Sequence, residues 1–440
     1  MKIIYIIFFL PTIVLAQLPI ADFTIKNIAC KNEALQVVNN SINAIQYEWD
    51  ICQGDLLLAP TAKNLLNLGA NIPLGIDVVF DGTEWFAFVA NQNGNSIIRL
   101  DFGTDLNNST PQVTNLGNIE NELSLPADIK IVKEGGAWFG FVYSLTGSML
   151  SRIDFGNSLK NTSSNGISVT ELRSGGGSAN SGLDLIKVGG SWKLLYTLNN
   201  SVFVVNLASL NSIPSPGDFY TGIEIAGSSL GDLVTIDHQG NYYAYAVSFS
   251  NQSLYRITFG TDITNAATSQ NLNISSLTGL SPYGIDIGFD NMQFVALIST
   301  LQGAAVRVNL GSDPSSAPLT SENLTSFSAL ENTLKISMAK SGSLWYAFAP
   351  SWSSSALYKM EFSSPVCDGD DVLTGIAPEL KYTTDGIKSV TLKAVGLGNQ
   401  ISEKSVGILI ENKLAPSVDW QNNGVCSDVP VSFESTASNV

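Results

Sequence analysis

The sequence is poor in the residues that most enzymes use for acid–base chemistry. His238 is the single histidine among 440 residues, so any Ser-His-Asp or Cys-His arrangement would have to include it. It lies in the turn IDHQGNYY between two apolar segments, a kind of position that is normally solvated. Zinc sites built from three histidines, or from histidine with cysteine, are excluded by the count.

Charge is also scarce, and basic charge most of all. Charged residues make up 14% of the chain, and 22 basic residues stand against 38 acidic ones, which gives a net charge of −16. Nucleic-acid binding usually requires a basic stripe, and none is present. An acidic chain is also repelled by anionic lipid. We therefore expect neither nucleic acid nor a charged membrane surface as a partner.

Long apolar runs are absent outside the N-terminus. Lys2 precedes an apolar stretch over residues 3–10, and Ala16 supplies the small residue that a signal peptidase requires. A membrane anchor is the alternative, but the stretch is broken by Pro11 and is shorter than the ~20 residues that a spanning helix needs. We predict a signal peptide over 1–16, no transmembrane segment, and a mature protein outside the cell or at its surface.

The four cysteines lack the spacing of a metal or redox site. None belongs to a CxxC motif, and in an exported chain cysteines usually form disulfides. The cysteines are Cys30, Cys52, Cys367 and Cys426.

The chain contains a pattern that occurs six times. Each copy has an alternating apolar strand, a turn rich in Gly, Asp or Asn, and a second strand that opens with an aromatic residue, which is the pattern of a β-hairpin. The aromatic residues are Trp85, Trp138, Trp192, Tyr242, Phe294 and Trp345. A third strand follows in every copy and a weaker fourth in most. Four strands in a repeat of about 50 residues predict the blade of a β-propeller.

The last copy ends at Phe362 without a fourth strand. Upstream of the first copy, residues 56–69 (LLLAPTAKNLLNLG) are similar to the fourth strands of the other copies. We predict that this segment pairs with the third strand of the last blade, around 357–362. That pairing would close the ring and leave no open edge between the first and last blades.

Two segments that flank the repeats resemble a PKD-type immunoglobulin-like domain. Residues 21–56 are similar to its first half, with WDICQGD at 49–55 as a degenerate form of its acidic motif, and LKYTTDGIKSVTL from Leu380 is similar to its second half. A further copy begins at SVDWQ near residue 417. Chains that combine such modules with propellers resemble secreted or surface proteins of Bacteroidota exported by the type IX route, which implies the export machinery as a partner.

These observations predict an all-β protein in which a six-bladed β-propeller is inserted into a PKD-like immunoglobulin-type β-sandwich. The predicted boundaries are 1–16 for the signal peptide, 17–55 for the first half of the sandwich, 56–362 for the propeller, 363–414 for the second half, and 415–440 for the start of a second PKD-like domain.

An aspartate recurs at the head of each innermost strand, and a lysine takes its place in the sixth. These residues are Asp77, Asp128, Asp184, Asp232, Asp286 and Lys335. We expect them around one mouth of the central channel. A ring of carboxylates could bind Ca²⁺ or a polar ligand. Alternatively, each carboxylate accepts hydrogen bonds from backbone N–H groups of a neighbouring turn or blade, because unpaired buried charges are costly.

Two further candidates lie in loops. Trp352, in the small polar loop APSWSSSA, is a candidate contact for an extracellular glycan or protein ligand, since no core is expected there. Asp368, Asp370 and Asp371 could chelate Ca²⁺ through oxygen ligands, although an acidic turn is usually only solvated. No cofactor is otherwise expected.

The split-sandwich interpretation also makes a prediction about the disulfides. Cys52 and Cys367 would lie where the chain leaves and re-enters the PKD-like domain, so we predict a bond between them. Cys30 and Cys426 occupy equivalent positions in successive PKD-like copies and are not expected to pair with each other.

Two functions are compatible with these features. The absence of a histidine-based catalytic set, together with modular neighbours, favours a non-catalytic surface, adhesion or ligand-binding module rather than an enzyme. The alternative is an extracellular propeller enzyme, a glycan lyase or hydrolase, that uses carboxylates at the channel mouth as acid and base. Two carboxylates within about 5–10 Å of each other in one cleft would favour the enzyme.

Overall fold

The computed structural model describes residues 19–51, 56–162, 166–175, 182–290, 293–324, 332–341, 344–362, 372–383, 385–396 and 401–411. These residues form an all-β structure with three short 3₁₀ turns, Ile119–Asn121, Pro216–Asp218 and Ser275–Leu277. The chain divides into two compact units, one of residues 1–53 with 365–440 and one of residues 54–364. None of the described helical segments has the length and apolar character to cross a bilayer.

The first unit begins with five short strands. They are β1 (Phe23–Thr24), β2 (Ile28–Cys30), β3 (Ala34–Gln36), β4 (Val38–Asn39) and β5 (Gln46–Asp50).

The second unit is a β-propeller of four-stranded antiparallel sheets. It comprises β6 (Pro60–Asn67), β7 (Pro73–Phe80), β8 (Trp85–Asn91), β9 (Ser96–Gly103), β10 (Gln112–Asn115), β11 (Pro126–Glu134), β12 (Ala137–Ser144), β13 (Ser148–Gly156), β14 (Ser168–Ser174), β15 (Leu183–Val188), β16 (Ser191–Leu198), β17 (Ser201–Leu207), β18 (Phe219–Glu224), β19 (Leu230–His238), β20 (Asn241–Ser248), β21 (Ser253–Gly260), β22 (Thr268–Asn271), β23 (Pro282–Asp290), β24 (Gln293–Thr300), β25 (Ala305–Gly311), β26 (Thr320–Leu324), β27 (Ser337–Ser341), β28 (Leu344–Pro350) and β29 (Ala356–Phe362). Six sheets result, with the strand orders β7-β8-β9-β10, β11-β12-β13-β14, β15-β16-β17-β18, β19-β20-β21-β22, β23-β24-β25-β26 and β27-β28-β29-β6.

The last of these sheets combines strands from both ends of the unit. Strand β6 pairs antiparallel with β29, with Pro60 opposite Phe362 and Asn67 opposite Ala356. The prediction that the upstream segment supplies the missing fourth strand is therefore confirmed. This sheet therefore has four strands only when segments from the two ends of the propeller unit pair with each other.

Apolar side chains fill the space between adjacent sheets. Phe88 of the first sheet lies 5.2 Å from Phe155 of the second, ring centre to ring centre. Phe102 of the first sheet lies 5.3 Å from Phe348 of the last. Each of these rings is almost fully buried, which contributes roughly 1.5–3 kcal/mol per side chain.

An arginine on the third strand of several sheets also fastens the next sheet. Arg99 donates to the carbonyl oxygens of Leu159 (2.8 Å) and Asn161 (3.2 Å) in the following sheet. Three other arginines repeat the pattern, Arg152 on Leu210 and Ser212, Arg256 on Pro314 and Ser316, and Arg307 on Leu56 and Leu58. Sequence analysis did not single out these arginines, although the recurring R-x-D/T-F-G pattern of three of these strands carries the signal.

The remaining strands complete the first unit. They are β30 (Val372–Thr374), β31 (Glu379–Lys381), β32 (Gly386–Val395) and β33 (Ile401–Glu411). They form a five-stranded sheet in the order β2-β33-β32-β5-β30, while β1 pairs with β4 and β3 with β31. Trp49 is fully buried and meets Phe23 edge to face at 5.0 Å. Segments before residue 54 and after residue 364 thus share one sheet and one core.

Cys30 is disulfide-bonded. Cys52, Cys367 and Cys426 lie outside the described residues, so the Cys52–Cys367 bond stays a prediction.

The pairing of β6 with β29 predicts a designed crosslink. Thr61 lies opposite Glu361, and directly opposed residues of antiparallel strands are about 4.5–5.5 Å apart, which suits a disulfide. We expect the double variant Thr61→Cys/Glu361→Cys to oxidise in air and to gain about 2–5 kcal/mol in free energy of unfolding. Non-reducing electrophoresis and calorimetry with and without reductant, against both single variants, check this. Thiols that remain free in the double variant would contradict the strand pairing.

Candidate functional site

The recurring aspartates meet at the centre of the propeller. Asp77, Asp128, Asp184 and Asp232 are almost fully buried, while Asp286 is partly exposed. Asp128, Asp184, Asp232 and Asp286, together with Lys130 and Lys335, line a cavity of about 20 Å³, which has room for roughly one water molecule. Asp77 does not line this cavity but pairs with Lys130. The structure thus brings together all six sequence-predicted ring residues and adds Lys130.

The carboxylates form two layers, each organised around one lysine. In the outer layer, the ammonium group of Lys130 lies 3.3 Å from Oδ1 of Asp77 and 3.5 Å from Oδ1 of Asp184. These two carboxylate oxygens are therefore less than about 7 Å apart. Asp286 belongs to the same layer, since it lines the same cavity as Lys130 and Asp184 and its charge favours the protonated form of Lys130. Within the described residues, no ammonium or guanidinium forms an ion pair with Asp286.

The lysine of the inner layer is more deeply buried than that of the outer layer. The ammonium group of Lys335 lies 2.7 Å from Oδ1 of Asp232 and 3.2 Å from Oδ2 of Asp128. It also donates to the carbonyl oxygen of Gly231 at 3.2 Å. Only 4% of the Lys335 side chain is exposed, against 29% for Lys130. The two lysines therefore differ in solvent access, whereas Asp77, Asp184, Asp128 and Asp232 are equally buried.

Apolar residues at the strand heads pack together next to the inner layer. The heads of the innermost strands contribute buried side chains to one common cluster, which also contains Tyr143 and Tyr196. These residues are Leu74, Ala127, Leu183, Tyr283 and Leu334, from five of the six sheets. Among the charged residues of the channel, Lys130 and Asp286 keep part of their exposure, and both belong to the outer layer.

Each aspartate also bonds to the backbone of the next sheet. In the outer layer, Asp77 accepts a hydrogen bond from the N–H of Ile131, Asp184 from that of Thr235 and Asp286 from that of Met338, at 2.6–2.7 Å. The inner-layer residues Asp128 and Asp232 accept from the N–H groups of Leu183 (3.0 Å) and Ile285 (3.1 Å). At the sixth junction the hydroxyl of Ser337 accepts from the N–H of Val78 at 3.1 Å.

Every junction between neighbouring sheets thus has a polar side chain at the channel that accepts a backbone N–H. This is the structural role considered for the aspartates. Ser337 is a position that sequence analysis missed, because a serine does not continue the aspartate pattern.

Glycines allow the two layers to approach closely. A Cβ atom on Gly75 would lie 2.5 Å from Cα of Asp128, and one on Gly182 would lie 2.6 Å from Cα of Asp232. Both contacts are shorter than real Cβ contacts allow. In the Gly-x-Asp sequences of the first and third sheets, the glycine therefore packs against an aspartate of the inner layer. The aspartate of the same sequence belongs to the outer layer.

Burial dominates the protonation of the carboxylates. It raises the pKa of Asp128 to about 7, although Lys335 opposes the change, and it raises the pKa of Asp286 to about 6 against the opposing charge of Lys130. Burial also raises the pKa of Asp77 and of Asp232. Burial disfavours the charged form of each lysine, but the carboxylates outweigh it and raise the pKa of Lys130 and Lys335.

No group of three or more His, Cys, Asp or Glu side chains within the described ranges could hold a metal ion. In both layers a lysine ammonium lies between the carboxylates, where a bound cation would otherwise sit. Asp368, Asp370 and Asp371, the other candidates for Ca²⁺, lie outside the described residues.

The remaining candidates lie away from the channel lining. Trp352 is 37% exposed in the loop between β28 and β29, where its backbone N–H donates to the carbonyl oxygen of Asn332. Its role in ligand binding stays a prediction. His238 packs edge-on against Phe294, with ring centres 5.5 Å apart, and is not among the residues that line the cavity.

Comparison with known proteins gives likenesses of fold at low identity. A thermostable family-43 glycoside hydrolase matches with 10% identity and a TM-score of 0.37, over 57% of this chain and 92% of the other. An α-L-arabinofuranosidase from Podospora anserina, solved with cellotriose, matches with 9% identity and a TM-score of 0.39, over 54% and 91%. The major allergen Mala s 1 of Malassezia sympodialis matches with 12% identity and a TM-score of 0.43, over 66% and 93%. No protein-family model and no curated protein matches the chain.

The prediction of a non-catalytic surface or adhesion module, and with it the prediction that the chain is not an enzyme, is corrected by this finding. Of eight solved structures compared, five are named as glycoside hydrolases, a galactanase, an arabinofuranosidase or a xylosidase, at 9–12% identity and TM-scores of 0.33–0.39. The prediction was wrong for a chemical reason. It relied on the lack of histidine-based catalytic sets, whereas glycoside hydrolysis requires only a pair of carboxyl groups.

The close approach at Gly75 predicts a stability effect. We expect Gly75→Ala to lower the free energy of unfolding by at least about 1–3 kcal/mol, because the added methyl group meets the backbone of Asp128 rather than a flexible side chain. Gly217→Ala is the control, since a Cβ there meets nothing within 4 Å, and it should change stability by less than about 0.5 kcal/mol. Urea denaturation measures both, and equal effects would refute the close packing.

The raised pKa of Asp128 predicts how stability depends on pH. The folded state binds a proton at Asp128 up to about pH 7, whereas an unfolded aspartate loses it near pH 4. Its contribution to stability is therefore full below about pH 4 and is lost as pH rises to about 7. We expect wild type to be more stable at pH 5 than at pH 8, and Asp128→Asn to reduce that difference by about 1–3 kcal/mol.

Urea denaturation at the two pH values measures this difference. Asp128→Asn should also be less stable than wild type at both, because both carboxylate oxygens accept a backbone N–H and one of them becomes an amide NH2 group, which can only donate. The exposed Asp237→Asn is the control and should leave the difference between pH 5 and pH 8 unchanged. An Asp128→Asn variant with the wild-type pH dependence would show that Asp128 titrates normally.

Proposed function

We propose that this chain is an extracellular enzyme that hydrolyses glycans, with the propeller as its catalytic unit. The observation that carries the proposal is the outer layer, in which Asp77, Asp184 and Asp286 surround Lys130 at the accessible side of the channel. Glycoside hydrolysis needs one carboxyl group that carries a proton and one that is ionised. The outer layer can supply both.

Asp286 is the candidate general acid. Burial raises the pKa of Asp286 to about 6, so a large share of the group is protonated in weakly acidic solution. It is partly exposed, and no cation in the described part of the chain pairs with it. A carboxyl group of this kind can donate its proton to the oxygen of a departing sugar.

Asp184 is the candidate base. Its carboxylate accepts from the N–H of Thr235 at 2.7 Å, from the hydroxyl of Thr235 at 2.6 Å, and from Lys130 at 3.5 Å. Donors of this kind stabilise the ionised carboxylate. The adjacent cavity of about 20 Å³ has room for the single water molecule that an inverting hydrolase activates.

In the proposed reaction, a water molecule displaces the departing sugar at the anomeric carbon. Asp184 takes a proton from the water, the water oxygen bonds to the anomeric carbon, and the bond from that carbon to the glycosidic oxygen breaks. Asp286 supplies the proton that the departing oxygen requires. A sugar chain is too large for the cavity, so it would bind across the outer mouth with its scissile bond above the carboxylates.

The architecture around the site is part of the same proposal. We infer a six-bladed propeller inserted into a PKD-like sandwich, on the support of the six sheets and of a sheet shared by residues 46–50 and 372–411. We also infer a secreted protein with a signal peptide over 1–16, resembling type IX cargo of Bacteroidota. The apolar stretch before Ala16 supports the signal peptide.

Replacement of the general acid tests the proposal. We expect wild type to release reducing ends from at least one neutral glycan of a panel of xylan, arabinan, galactan and mannan. Asp286→Asn should lower kcat by roughly 10²–10⁴-fold. The loss should be much smaller on a 2,4-dinitrophenyl glycoside of the same sugar, because that leaving group departs without a proton.

The exposed Asp237→Asn is the control and should keep full activity. Equal losses by Asp286→Asn on the natural and the activated substrate would remove Asp286 from the role of acid. If wild-type protein releases no reducing ends from any glycan of the panel, the proposed function is wrong.

A further inference from the structure

Lys130 differs from the other charged residues of the channel because it interacts with three carboxylates, two of them through ion pairs. Its ammonium group pairs with Asp77 and Asp184 at 3.3 and 3.5 Å, and its charge also acts on Asp286. The three carboxylates come from β7, β15 and β23, whereas Lys130 comes from β11. One side chain therefore acts on carboxylates from three other sheets.

The other elements that surround this layer contribute no further charge. Strand β19 contributes Thr235, whose N–H and hydroxyl both donate to Asp184. Strand β27 contributes Ser337 and the N–H of Met338, which donates to Asp286 at 2.6 Å. The charged groups of the neighbouring inner layer are Asp128, Asp232 and Lys335. In the described structure, Lys130 is thus the one cation that belongs to the outer layer.

We propose that Lys130 is the positioning residue that divides the outer layer into two carboxylates that it binds directly and a proton donor that it does not. It holds Asp77 and Asp184 together through direct ion pairs. It leaves Asp286 outside ion-pair distance, so that this carboxyl keeps its proton but can still release it. The inference rests on the proposed function, in which Asp286 is the acid and Asp184 the base.

The charge of Lys130 sets the working range of Asp286. Burial alone favours the protonated form, and Lys130 counteracts burial, so that the pKa of Asp286 rises only to about 6. Without Lys130, Asp286 would keep its proton to a higher pH, and Asp77 and Asp184 would lose the cation that lies between them. The layer would then supply a weaker acid and a misplaced base.

The variant Lys130→Met removes the charge and keeps most of the volume of the side chain. An opposite charge in close proximity typically shifts a carboxyl pKa by ~1–3. We therefore expect the pH at which kcat falls on the alkaline side to rise by about one pH unit or more. Lys130→Arg keeps the charge, so this alkaline limb of the kcat profile should return towards its wild-type pH. Lys133→Met, three residues further along the same strand and exposed, is the matched control and should leave the limb unchanged.

A second measurement does not depend on activity. In protein labelled with ¹³C at the aspartate carboxyl carbons, the resonance that disappears in Asp286→Asn reports Asp286. Its titration should move upward in Lys130→Met and return in Lys130→Arg. Agreement of the kinetic limb with this titration would support the proposal.

The outcomes separate the two proposals. If the Asp286 titration is the same in wild type and in Lys130→Met, Lys130 does not set the charge of the layer, and this inference is wrong even if the enzyme is active. If the titration moves but wild type has no glycan activity, the proposed function fails, and the catalytic role of Lys130 fails with it. If Lys130→Met does not fold, the comparison of Lys130→Arg with wild type still decides the inference, because a purely steric role would let the arginine shift the limb or abolish activity.

Discussion

The propeller depends on hydrogen bonds that run from a buried side chain of one sheet to the backbone of the next. Five of these side chains are carboxylates. A buried carboxylate without a partner would cost several kcal/mol, so the same groups that join the sheets also require cations beside them. Lys130 and Lys335 meet this requirement. Because Lys335 of the last sheet pairs with aspartates of the second and fourth sheets, the charge balance is complete only when the ring is closed.

This constraint explains why the lysines are as important as the aspartates. Five carboxylates face two ammonium groups, so the channel keeps a negative excess unless some carboxyl groups hold protons. Burial raises the pKa of Asp128 and of Asp286, and the neighbouring carboxylates Asp232 and Asp77 raise it further. A channel in which burial favours the protonated form of some carboxyls can contain an acid and an anion side by side. Structural need and acid–base chemistry are therefore compatible here.

Much of this arrangement could be predicted from the sequence, because repeats record it in one dimension. The positions of Asp77 and its counterparts followed from the hairpin pattern, and the pairing of β6 with β29 followed from the likeness of residues 56–69 to other fourth strands. Lys130 and Ser337 could not be found in this way, since neither continues the repeated residue. The depth of each side chain and the lysine that it meets depend on the close packing of neighbouring sheets, which no single repeat contains.

The division into two layers also has a basis in the sequence, although it becomes evident only with the contacts known. Sheets one, three and five carry Gly-x-Asp at residues 75–77, 182–184 and 284–286, and their aspartates form the outer layer. The even sheets carry Asp128, Asp232 and Lys335, which follow Ala127, Gly231 and Leu334, and these form the inner layer. The glycines of the odd sheets pack against the even-sheet residues, with a Cβ on Gly284 only 2.7 Å from Cα of Lys335. The repeating structural unit of the channel is therefore a pair of neighbouring sheets. Three such pairs give three outer carboxylates, and the replacement of the last inner aspartate by Lys335 provides the cation that the inner layer requires.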